Sequence, residues 1–164
     1  MAAFAPRLPN KVTAALRLRK HLDQSIMVPP LPAGVARLAL WQSSPLALHS
    51  LLRETYAHGG GTVPPFEDWF FPLVEDEEFD PALAIILASG YQPVALAQCW
   101  TSGFIKDLVT APSLQGRGLG AHLLNTAFAE FQQRGLPHVD LKVEVTNLGA
   151  QRFYRRHGMV ETGL

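Results

Sequence analysis

Cysteine is nearly absent from this chain. Cys99 stands alone among 164 residues, so no internal disulfide framework is available and a reducing, cytoplasmic setting is expected. It sits in the apolar stretch PVALAQCW, where a buried structural thiol is the expectation. Long hydrophobic runs are missing as well: no apolar stretch approaches the roughly 18 residues of a membrane helix, and no membrane partner is expected. Charge of one sign is not in excess. Fourteen Lys and Arg balance fourteen Asp and Glu, whereas a nucleic-acid binder would carry a basic stripe and a high pI, so nucleic acid is not an expected partner. The six histidines contain no pair at ligand spacing, and no metal site is expected. No glycine-rich stretch ends in Gly-Lys-Ser/Thr, which excludes a P-loop.

What is present describes a soluble globular domain. Hydrophobic residues at 48% and charged residues at 17% are an ordinary balance, and the length suits one domain with a real core. The zero net charge hides a pattern. Residues 1–30 hold five Lys/Arg and one acid, residues 31–100 hold Arg37 and Arg53 against eight acids, and residues 101–164 hold seven basic residues and five acids. An acidic middle beside a mildly basic end fits either two ligands of opposite sign or a solvated acidic loop.

Residues 1–32 are flanked by prolines around KVTAALRLRKHLDQ, in which Val12, Leu16 and Leu22 fall near helical spacing. The segment is expected to be an N-terminal extension, an accessory helix or a partly disordered arm, ahead of a domain over 33–164. GVARLAL is a short strand candidate. Pro45 followed by LALHSLLRETY predicts a helix stopped by glycines 59–61, and VPPFEDWFFPLVEDEEFD a short helix plus loop. PALAIILAS, PVALAQCW and FIKDLVTAP are three strands. Leu119, Leu123, Leu124, Ala127, Phe128 and Phe131 then form one apolar helical face. HVDLKVEVT alternates as a strand with Val139, Leu141, Val143 and Val145 on one side, and LGAQRFYRRHG is a second short helix. The fold class is mixed α/β (α+β), with one mostly antiparallel central sheet of about six strands flanked by helices.

QGRGLGAHLL packs three glycines into five positions before the longer helix. Gly116, Gly118 and Ala121 formally satisfy a dinucleotide fingerprint, but only 44 residues follow Gly120, too few for the rest of a doubly wound sheet, and Asp140 falls early in its strand. The same physics serves another ligand. Backbone N–H groups from Gln115 to Ala121, with the helix N-terminus behind them, make a positive concavity for a pyrophosphate. A ligand-free tight turn is the alternative.

DLVTAPSLQGRGLGAHLL, followed about 30 residues later by LKVEVTNLGAQRFYRRHGM, resembles the GNAT superfamily of acyl-CoA-dependent N-acetyltransferases. Gln115, Gly118 and Gly120 match the family's Q/R-x-x-G-x-G/A pyrophosphate motif. Asn147, Ala150, Tyr154 and Gly158 match its second block, with Met159 in place of the usual Phe. The resemblance covers about residues 101–160 and implies acetyl-CoA as co-substrate, bound by Leu108, Val109, Gln115, Gly116, Arg117, Gly118, Leu119, Gly120, Ala121, Asn147, Ala150 and Tyr154. It implies acetyl transfer to a primary amine, expected to belong to a small molecule. A silent acetyl-CoA-binding module of the same fold is the alternative.

In that chemistry Tyr154 would protonate the departing thiolate, for which a phenol of pKa about 10 suits a thiol near 8.5. Asp107 and Glu144 are the two candidates for the general base, the former matching a common acidic position of the family. Lys142 stands where family members acting on protein N-termini often carry glutamate, which counts against that substrate class. Arg117, Arg155 and Arg156 could meet cofactor phosphates. Glu67, Asp68, Trp69, Phe70 and Phe71 would give an aromatic-acidic lining for a cationic amine, with Glu67, Trp69 and Phe70 as substrate-binding candidates. The family's last strand is expected to be missing, leaving a sheet edge to be covered by the N-terminal segment or by a second subunit in a homodimer.

Overall fold

The computed structural model describes residues 14–59 and 61–163. Residues 1–13 of the expected N-terminal extension, Gly60 of the expected helix stop, and Leu164 lie outside the described residues. In chain order the elements are β1 (Ala15–His21), β2 (Val35–Leu38), α1 (Pro45–Tyr56), α2 (Phe66–Glu75), β3 (Ala84–Ser89), β4 (Gln92–Trp100), β5 (Phe104–Thr110), α3 (Leu119–Gln133), β6 (His138–Glu144), α4 (Leu148–Arg156) and β7 (Val160–Glu161). No helix among the described residues is long and apolar enough to cross a membrane.

One seven-stranded sheet runs β2-β3-β4-β5-β6-β1-β7. Every neighbouring pair is antiparallel except β5 with β6. β3 and β4 read as continuous apolar runs because both their faces are covered, and Ala84 to Ala88 are all buried. The apolar face of α3 is the one its spacing predicts: Leu119, Leu123, Leu124, Ala127, Phe128 and Phe131 are all buried. Val139, Leu141 and Val143 of β6 join the same core. Val145 does not, because β6 ends at Glu144 and the chain turns toward α4 with Val145 exposed.

The N-terminal segment departs from expectation. Residues 15–21, read as part of an accessory helix or arm, form strand β1, paired along its whole length with β6 and at Leu18 and Arg19 with β7. The physical reason lies in ALRLRKH, where apolar and basic residues alternate with period two. Leu18 is fully buried on one face. On the other, the Asp140 carboxylate accepts hydrogen bonds from Arg17 Nε (2.7 Å), Arg19 Nε (2.8 Å) and Arg19 Nη2 (2.9 Å). A slip of one residue would exchange the two faces, so this pairing pins the register. β1 thereby occupies the β6 edge, and among the described residues the sheet has seven strands, close to the expected number of about six.

Candidate active site

Where β5 and β6 part, the sheet opens. They pair only at Phe104↔Asp140 and Ile105↔Leu141, then diverge. The neighbouring β4–β5 ladder contains a bulge: Cys99 pairs with Ile105 and Gln98 with Asp107, so Lys106 has no partner on β4. A bulge re-aims side chains and adds twist. Here it turns Asp107 toward α1, where its Oδ1 accepts a 2.6 Å hydrogen bond from Tyr56 Oη. Its Oδ2 lies 2.9 Å from Lys106 Nζ.

Two cavities meet in the cleft. The larger, about 630 Å³, runs between the end of β5 and the start of α3 and is lined by Gln115, Gly116, Gly118, Leu119, Gly120 and Ala121, with Arg156 and His157 of the α4 end. The smaller, about 380 Å³, lies between the parted strands and includes His58, Lys106, Lys142 and Glu144. Leu108, Val109, Asn147, Ala150 and Tyr154 border both.

The glycine loop builds the first cavity. Gly116 (φ +80°) and Gly118 (φ +83°) take the left-handed region, and Gly118 caps α3. The first intrahelical bond runs from His122 N to Gly118 O. The N–H groups of Leu119, Gly120 and Ala121 therefore lack intrahelical acceptors and face the cavity end of a fifteen-residue helix. Together with the helix dipole they suit an anion of pyrophosphate size. Gly120 also serves a packing role that the sequence did not show. A Cβ there would meet the Phe153 ring at 3.3 Å, so the bare backbone lets α4 close against α3 rather than only admitting a ligand.

α4 is placed by Asn147, whose Oδ1 accepts from Ala150 N at 3.1 Å. Gln151 Nε2 adds bonds to the carbonyls of Glu144 and Val145. This sets Tyr154 at the junction of the cavities. Burial, with the Asp107 charge adding to it, pushes its phenol up to about 12. The same causes, burial first, raise Tyr56 well above the ordinary phenol range. Cys99 is fully buried and pushed up to about 12, so it stays a thiol and offers no nucleophile. His157 is held below its usual range by burial and by Arg156 and Lys20.

The structure thus gathers Leu108, Val109, Gln115, Gly116, Gly118, Leu119, Gly120, Ala121, Asn147, Ala150, Tyr154 and Glu144 around the cleft, with Asp107 against Tyr56. Arg117 lines neither cavity, and Arg155 points to Glu161 at 3.7 Å. Glu67, Trp69 and Phe70 line neither of these two cavities, while Asp68 and Trp69 border a separate hollow of about 260 Å³ that shares Lys106 with the smaller one. The apolar face of α2 turns inward instead. Trp69 is buried in an aromatic cluster with His49, Phe66 and Phe70, and His49 Nε2 donates to the Pro64 carbonyl at 2.8 Å, anchoring α2 to α1. Tyr56, His58 and Lys106 were missed. Their only sequence signals are position, at the end of α1 before the glycines and beside Asp107.

A parted parallel strand pair, an anion cradle at the next helix and a phenol between two cavities define an acyltransferase-like architecture. The family comparison agrees: residues 46–159 match the Acetyltransferase (GNAT) family, and the chain belongs to that family. It is 35% identical over 103 residues to an uncharacterized N-acetyltransferase of Methanocaldococcus jannaschii, covering 57% of this chain and 45% of the relative. It is 29% identical over 147 residues to the mycothiol acetyltransferase of Beutenbergia cavernae, covering 83% and 48%. The chain thus spans about half the length of the curated relatives it matches. In fold it resembles a GCN5-related N-acetyltransferase from Sphaerobacter thermophilus (TM-score 0.72, 24% identity, 90% of this chain and 48% of that one). It also resembles the Escherichia coli ribosomal-protein-S18-alanine N-acetyltransferase (TM-score 0.63, 20% identity, 79% of each).

Proposed function

We propose that this chain is an acetyl-CoA-dependent N-acetyltransferase that acetylates a small primary amine by direct attack in a ternary complex. The observation that carries this reading is the meeting of an anion-cradling cavity and an acceptor cavity at Leu108, Val109 and Tyr154. The N–H groups of Leu119 to Ala121 and the Gln115–Gly118 loop would hold the pyrophosphate, with Arg156 at the rim. When bound, acetyl-CoA supplies the activated acyl group.

The remaining work falls to the chain. β5 beyond Ile105 has no β6 partner, so its backbone at Leu108 and Val109 is available to align the thioester carbonyl and polarise it. Glu144 removes the ammonium proton. Its carboxylate borders the acceptor cavity and has no hydrogen-bond or ion-pair partner among the described residues. Asp107 is less suited, because it lines neither cavity and its two oxygens are already engaged by Tyr56 and Lys106. It acts as a fixed negative charge behind the site. Tyr154, kept as a phenol, gives its proton to the departing thiolate. Holding both reactants in line supplies much of the acceleration.

Thermal-shift titration separates this reading from a dinucleotide oxidoreductase: acetyl-CoA should stabilise the protein and NAD should not. Acetyl-CoA consumption across a panel of amines then tests turnover. Saturable binding without turnover of any amine would leave only a silent acetyl-CoA-binding module.

A further inference from the structure

The geometry points to an acceptor that carries a carboxylate beside its amine, a free amino acid; this rests on the N-acetyltransferase reading above and names its substrate class. Ile105 and Leu141 are the last paired residues of β5 and β6, and the next residue on each strand is a lysine, Lys106 and Lys142. Both line the acceptor cavity. Two exposed lysines therefore flank the point where the strands part. Lys142 is exposed and has no carboxylate partner among the described residues. Lys106 meets Asp107 with its side chain still 37% exposed, which leaves donors for a second anion.

The acid sits at the other level. Glu144 lies two residues beyond Lys142 on the same strand, a rise of about 7 Å. An amine at Glu144 and an anion between the lysines would match the charges of a zwitterion. The anion is better matched by a carboxylate than by a phosphate. No arginine lines this cavity, whereas Arg156 and the N-terminus of α3 serve the other one. At about 380 Å³ the cavity is at the small end for a ligand site, which suits a molecule of amino-acid size. A peptide N-terminus lacks the carboxylate next to its amine and would leave both lysines without an anion.

The test compares, for several side chains, the amino acid, its carboxamide and the corresponding decarboxylated amine as acceptors, in wild type, Lys142→Met and Lys142→Arg. The acids should be preferred by about tenfold or more in kcat/KM, through KM, as expected for one charge-assisted contact. In Lys142→Met the ratio of acid to amide should fall toward one, and Lys142→Arg should restore part of it. Carboxamides or plain amines used as well as the acids would overturn the assignment while leaving the N-acetyltransferase reading intact. So would an acid preference that survives Lys142→Met. Should no amine turn over, titration of acid against carboxamide onto the acetyl-CoA-bound protein gives the same comparison as a binding ratio, and a ratio of one overturns it.

Discussion

Tyr56, the last residue of α1, donates a 2.6 Å hydrogen bond to Asp107 of β5, which lies 51 positions further along the chain. This contact ties the helix behind the acceptor cavity to the strand that borders it. Asp107 is only 9% exposed, and its second carboxylate oxygen is held by Lys106. Tyr56→Phe should therefore cost about 1–2 kcal/mol of stability, the scale of a hydrogen bond to a charged group with one partner left in place. Activity should fall about tenfold, since the charge behind the acceptor is no longer fixed. A double-mutant cycle with Asp107→Asn checks the link: the second substitution should add little to the first.

Tyr154→Phe should lower kcat by about 100-fold while leaving acetyl-CoA affinity nearly unchanged, because the ring still packs and only the proton is lost. The pH profile gives a sharper reading. Burial raises the phenol to about 12, so the protonated form persists through the range in which an ordinary tyrosine near 10 would ionise. The wild-type rate should rise as the acceptor amine loses its proton and then stay level through pH 10. A descending limb centred near pH 10 that vanishes in Tyr154→Phe would keep Tyr154 as the acid but contradict the raised phenol.

Much of this arrangement was legible in the sequence. The apolar face of α3 follows from a 3.6-residue period, and the glycine loop and the Asn147–Tyr154 block, both singled out by their sequence motifs, come together around the larger cavity. β1 was legible too, but Val12, Leu16 and Leu22 suggested a helix where Leu16, Arg17, Leu18 and Arg19 alternate. The smaller cavity was not legible for a different reason. It is made by a bulge and by the point where two strands part, neither of which has a local signature. The burial of Trp69 against His49 and Phe66 likewise depends on how α1 and α2 dock.

Gly118 and Gly120 of the loop should fail in different ways. Gly118 has φ +83° with open space around it, so Gly118→Ala should cost about 1–2 kcal/mol of backbone strain, and Gly118→Asn less. Gly120 is helical, and its added Cβ would press on Phe153 at 3.3 Å. Gly120→Ala should push α4 away from α3 and weaken acetyl-CoA binding more than it lowers Tm. Adding Phe153→Leu should restore part of that affinity. Isothermal titration alongside thermal melts distinguishes the two patterns.

The attachment of β1 gives the last test. Asp140 is 3% exposed and accepts three hydrogen bonds from Arg17 and Arg19. Burial alone would raise its carboxyl, but the bonds from Arg19 and then Arg17 outweigh that and hold it below the usual range. The sign follows. A carboxylate with a depressed folded pKa stabilises the protein fully above its unfolded value of about 3.9 and loses that contribution as pH falls through the lower folded value. Asp140→Asn should therefore lower Tm by several degrees at pH 7 and at pH 5, and the gap to wild type should close only below about pH 4. Hydrogen exchange should show where the loss falls. The amides of Leu16 to Lys20 should lose protection in Asp140→Asn while those of α3 keep theirs, since the arginines bind β1 to β6 and leave the α3 core untouched. Uniform loss of protection across β1 and α3 would mean that β1 does not detach as a separate unit.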